Sequence, residues 1–173
     1  MKLKSALLAS LILFGLNAAG PAWAQVYALE DPADWKESEV PPPPAFDVTK
    51  LITLDVSVNS SLTYGIDPAS IRITTSDNLV RYVIVASSAT GARNVMYEGI
   101  RCATGEYKTY ARYSPGGKWT MTANPEWRSM FDNMPSKHAL RFARAGACDS
   151  GASAPSVNVI VSRLKNPNFR MGD

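Results

Sequence analysis

The sequence predicts an α+β fold, mainly an antiparallel sheet with short helices toward the C-terminus packing on one face. Three observations predict it. Between Leu51 and Met121, short β-branched and aromatic runs alternate with brief Gly, Pro, Asp and Asn turns. After residue 123, Asn124-Pro125-Glu126 reads as a cap with proline at the first helical position. Near the end, Val157, Ile160, Val161 and Leu164 fall at helical spacing. The chain divides into a leader over 1–24, a proline-rich arm over 25–48 and one domain over 49–173.

The leader has three parts. Lys2 and Lys4 are basic, Ala6 to Leu16 is apolar, and Ala22-Trp23-Ala24 precedes Gln25 as a cleavage site between Ala24 and Gln25. The apolar run is short of the ~20 residues that span a bilayer. A soluble periplasmic or secreted protein of the cell envelope is therefore expected. The chain carries 18 Lys+Arg against 15 Asp+Glu. Losing Lys2 and Lys4 leaves 18 − 2 = 16 against 15, too even a balance for a nucleic-acid footprint. In an oxidising compartment the two cysteines, Cys102 and Cys148, form the single possible disulfide. The arm contains Pro41-Pro42-Pro43-Pro44, which favours extended backbone. It is expected to lie over the domain, anchored by Trp35 and Phe46.

Strands follow in order. Ile52, Leu54, Val56 and Val58 alternate with polar residues up to a turn at Asn59-Ser60. Leu62, Tyr64 and Ile66 alternate next, ending at Asp67-Pro68. Ile71 and Ile73 mark a short strand before Ser76-Asp77-Asn78. Three longer runs, Leu79–Ser88, Asn94–Cys102 and Tyr107–Tyr113, are joined by turns at Ala89–Ala92 and Thr104-Gly105. Lys118–Met121 follows a turn at Ser114–Gly117. Asn124-Pro125 should start a short helix through Trp127, Met130 and Phe131. Residues 137–147 fit no single pattern. Ser153 would cap a last helix, although Val157, Val159 and Val161 also fit a strand.

Centring the hairpins on Thr90-Gly91 and Thr104-Gly105 sets Arg81 opposite Ile100 and Arg101 opposite Lys108. One face then carries Arg81, Val83, Val85, Met96, Glu98, Ile100, Cys102 and Ala111, with Arg81 and Glu98 as a partly buried ion pair. The other carries Tyr82, Tyr97, Arg101, Lys108, Tyr110 and Arg112, beside Gly99. Tyrosine and arginine are the residue types of binding hot spots. That face is the expected binding surface, for an envelope protein or a small anion such as a carboxylate or a lipid head group.

Val80-Arg81-Tyr82, Gly91-Ala92, Asn94-Val95 and above all Tyr97-Glu98-Gly99-Ile100-Arg101-Cys102 resemble the family of the cryptic neisserial protein, small exported proteins of proteobacteria. Trp35-x-Glu37 before the prolines, Trp119, Trp127 and Cys148 fit it too, and the chain departs more from about Ser136 onward. The resemblance implies an exported domain and brings no catalytic residues.

Little chemistry is visible. Gly-x-Ser-x-Gly and glycine-rich phosphate motifs are absent, and Asp47, Asp55, Asp67 and Asp77 lack a calcium-loop spacing. No metal and no cofactor are expected. His138 is the only imidazole. Ser87 and Ser88 are available nucleophiles, and Asp132 or Asp149 the acids to orient a base. The reading is a non-enzymatic binding or structural module of the envelope. The alternative is an envelope hydrolase with His138 as base.

Overall fold

A computed structural model describes residues 34–57, 60–166 and 168–169. The leader, its Ala24–Gln25 junction, Gln25–Ala33, Val58, Asn59, Pro167 and residues 170–173 lie outside the described residues.

The strands are β1 (Ile52–Leu54), β2 (Leu62–Ile66), β3 (Arg72–Thr74), β4 (Leu79–Ser88), β5 (Arg93–Arg101), β6 (Glu106–Tyr113), β7 (Trp119–Met121) and β8 (Arg128–Ser129). They form one sheet in the order β1-β2-β4-β5-β6-β7. β3 pairs the first half of β4, and β8 pairs the start of β6. The pairings are antiparallel, as expected from short turns. Helix α1 (His138–Phe142) continues into a wider turn over Ala143–Ala147, which is broken at Gly146 with φ 124°. A hairpin of β9 (Cys148–Asp149) and β10 (Ala152–Ser153) leads to helix α2 (Val157–Leu164).

The valine-rich end of the chain is thus helix, capped by Ser156 rather than Ser153. Its oxygen accepts from the Val159 N–H, which satisfies one of the first-turn donors. The stripe holds, with Ile160 fully buried and Val157, Val161 and Leu164 packed around it. Asn124-Pro125 starts no helix. Arg128 and Ser129 pair instead with Tyr107 and Glu106, so sheet pairing overrides a local start signal. The first strand also ends early, at Leu54.

The central register differs by one residue from the expectation. Arg81 lies opposite Gly99, Tyr82 opposite Glu98 and Val83 opposite Tyr97. The cause is an odd loop. Ser88 donates its N–H to Ala92 O, leaving three residues, Ala89-Thr90-Gly91, with Gly91 at φ 86°. A one-residue shift exchanges faces. β4 is therefore turned over relative to β5. Arg101 lies opposite Glu106, and an extra residue, Tyr110, bulges from β6 between partners of Tyr97 and Glu98.

Both faces of the sheet are consequently buried. One carries Val80, Tyr82, Ile84, Met96 and Ile100 beneath α1 and α2. The other carries Val83, Val85, Val95, Tyr97, Tyr110 and Ala111, against Val40, Phe46, Val48 and Leu51. Phe46 meets Tyr113 and Trp119 edge-on at 5.0 and 5.7 Å. Cys102 and Cys148 are joined, tying the end of β5 to the helical layer across 46 residues. Closing a loop of that length stabilises the fold by about 4 kcal/mol on the chain-entropy model. Replacing both cysteines by alanine should cost roughly 2–5 kcal/mol in a urea titration; an unchanged midpoint would contradict that role.

Candidate functional site

Two ionised side chains from adjacent central strands are fully buried, and they do not meet. Arg81 and Glu98, expected as a pair, point to opposite faces because of the register. Arg81 bonds Asp77 at 2.9 Å, and Thr74 Oγ1 accepts from it at 2.6 Å. Asp77 in turn accepts from the Ser38 N–H at 3.0 Å and from the Ser38 hydroxyl. Burial pushes the Asp77 carboxyl up. The bonds from Ser38 and Arg81 outweigh that and hold it below its usual 3.8.

The expected binding residues are mostly tied to this arm side. Lys108 donates to Glu37 at 2.5 Å and Tyr110 to the other Glu37 oxygen at 2.6 Å. Arg101 lies over the Trp35 ring at 3.6 Å and near Glu106 at 3.5 Å. Trp35 itself donates to Asp77 O at 3.1 Å. Tyr97 is buried against Tyr110 and Trp119. Gly99 makes room for Tyr110, since a Cβ there would stand 2.5 Å from the Tyr110 hydroxyl. Tyr97, Lys108 and Tyr110 are therefore covered by the arm rather than presented to solvent. Tyr82 and Arg112 lie on the helix side. Tyr82 is fully buried, so of the six only Arg112 is exposed.

The helix side holds a polar cluster that sequence reasoning missed. Glu98 accepts from Tyr82 at 2.9 Å and from Thr109 at 3.0 Å. His138 Nε2 lies 2.9 Å from the same oxygen as Tyr82, and Nδ1 lies 2.9 Å from Ser136 Oγ. The imidazole stacks on Tyr64 at 5.8 Å and meets Tyr107 edge-on at 5.7 Å. Ser136 Oγ also accepts the His138 N–H at 3.3 Å, which fixes the turn into α1. A carboxylate only accepts, so in the neutral ring Nε2 carries the proton and Nδ1 faces Ser136 with its lone pair. The acid that orients His138 is thus Glu98, not Asp132 or Asp149. Burial pushes the Glu98 carboxyl up. Attraction to the His138 ring and the three hydrogen bonds outweigh it, holding the group below its usual 4.5. Tyr82 is raised well above 10 by burial and by Glu98, so it stays a donor.

This cluster lines a cleft of about 440 Å³. Asn94, Arg112, Thr122, Asn124, Glu126 and Arg128 are also among its lining residues. A second cleft of about 490 Å³ shares Leu62, Tyr64, Pro135 and Ser136 with it and adds Ser57, Ser60, Ser61 and Lys137. One sequence signal for the site was Gly91, which permits the odd loop that turns Glu98 toward the only histidine.

An antiparallel sheet packed on both faces, with a polar cleft under its C-terminal helical layer, is the class of protein that fold and site define. The chain belongs to the CNP1-like family, whose model matches residues 30–165. No curated protein and no solved structure matches it.

A depressed carboxylate contributes stability that is fully present above its unfolded value and lost as pH falls through its folded value. Stability should thus decline from about pH 4.5 downward, and Glu98→Gln should flatten that acid limb in urea titrations between pH 7 and 3. Parallel acid limbs would show that Glu98 is not held by this cluster.

Proposed function

We propose that the protein is exported and binds a small carboxylate-bearing ligand of the cell envelope in the cleft beside Glu98 and His138. The observation that carries this is the cleft itself. Its volume, about 440 Å³, lies in the range of small-molecule sites. Two exposed arginines, Arg112 on β6 and Arg128 on β8, line it. Guanidinium groups suit carboxylates because their donors match both oxygens. Asn94, Thr109, Thr122 and Asn124 add neutral partners for hydroxyls or amides. The expected anion-binding role of Arg112 is kept, while Arg101 and Lys108 hold the arm. The three-part leader and the disulfide support export.

Two measurements test the reading. Acetate, succinate and citrate should raise the melting temperature in a concentration-dependent way, since a ligand that binds only the folded state stabilises it by mass action. The double variant Arg112→Ala with Arg128→Ala should melt normally and lose that response. An equal response in the variant would remove the site. For export, mass spectrometry of the protein from its native host should find Gln25 as the N-terminus; a retained Met1 leader would refute it.

A further inference from the structure

We propose that Ser136, His138 and Glu98 form an ester-hydrolysing centre in this cleft, with Ser136 as nucleophile, His138 as general base and Glu98 as positioning residue. It rests on the cleft being a binding site and adds a reaction to it. Three observations carry the inference. The imidazole joins the hydroxyl and the carboxylate at 2.9 Å on either side, the separations expected of a nucleophile, its base and the group that orients the base. Glu98 is saturated by Tyr82, Thr109 and His138, so the ring cannot turn without leaving a buried carboxylate underbonded. Ser136 lines both clefts, which gives an ester room for its acyl part on one side and its alcohol part on the other.

The chemistry balances. The Ser136 oxygen bonds to the ester carbonyl carbon as His138 Nδ1 takes the hydroxyl proton. The bond to the alcohol oxygen breaks, and that oxygen leaves with the proton from Nδ1. Water then attacks the acyl-serine, gives a proton to Nδ1, and the serine oxygen leaves and recovers it. The products are an alcohol and a carboxylic acid, which releases its proton to solvent. Arg112 and Arg128 line the same cleft and supply positive charge for the carboxylate product, the same chemical group the cleft is proposed to bind. The substrate class is a small carboxylic ester.

The test is covalent labelling of the full, folded chain with a fluorophosphonate, followed by peptide mapping. One adduct is expected, on Ser136, and none after unfolding in urea. Hydrolysis of p-nitrophenyl acetate should fall at least about 100-fold in Ser136→Ala, because removing the nucleophile also forfeits the contribution of its general base. Glu98→Gln should slow labelling and move its pH profile, which a merely structural role would not do. Ser136 also accepts a backbone N–H, so Ser136→Asn, which keeps that bond, serves as a second folded variant and should be inactive as well. Absence of a Ser136 adduct in the folded wild type, or equal labelling of Ser57, Ser60 and Ser61, would overturn the proposal. Carboxylate binding that still depends on Arg112 and Arg128 would in that case leave the binding reading standing. An adduct on Ser136 without carboxylate stabilisation would overturn only the binding reading.

Discussion

The structure depends on burying two opposite charges on opposite faces of one sheet. Arg81 and Glu98 are both fully buried and stand on neighbouring strands. A buried charge without partners costs several kcal/mol, so each needs its own set. For Arg81 the set is Asp77 and Thr74, with the arm residues Glu37 and Ser38 close by. For Glu98 it is Tyr82, Thr109 and His138 at the start of α1. The two charges therefore hold down the two outer layers, the arm on one side and the helices on the other.

That constraint explains why the sheet can be apolar on both faces. An antiparallel sheet commonly leaves one face wet. Here the run Leu79–Ala86 is buried without a break. The stiff proline arm shields one side at low entropic cost, since its backbone is already extended. Trp35 and Phe46 fasten it on either side of the prolines. The helix side is less evenly covered. The covering layer leaves the two clefts that Ser136 borders, one reaching across to β6 and β8 and the other between β2 and the segment before it.

Much of this was legible in the residues. Strand positions followed from alternation between Gly, Pro, Asp and Asn turns. The disulfide followed from the cysteine count, whereas the last segment carried a helical stripe whose valines also fitted a strand, and the Ser156 cap decides for helix. The register was not legible, because parity turns on whether a loop holds two residues or three. Gly91 at positive φ is the only local sign of the longer loop. That one residue decided whether Glu98 faced Arg81 or His138. The expected tyrosine and arginine surface does not survive as one face: Tyr82 and Arg112 turn to the helix side, and Tyr97, Lys108 and Tyr110 remain as a patch on the other. What covers it is its own arm, through Glu37, and no spacing rule relates Glu37 to Lys108 and Tyr110. The Asn124-Pro125 signal misled for a tertiary reason. Trp127 packs on Trp35 at 6.1 Å and under Lys108 at 4.6 Å, and these contacts accompany a strand pairing rather than a helix.

The central claim is that Glu98 fixes the His138 ring with Nδ1 toward Ser136. The chain has one histidine, so its two ring nitrogens are the only imidazole signals in a ¹⁵N NMR spectrum. At a pH where the ring is neutral, the account predicts a protonated Nε2 and an unprotonated Nδ1. The Glu98→Gln variant should lose that strict preference. A neutral ring protonated at Nδ1 in the wild type would contradict the account, because Glu98 would then not be its partner.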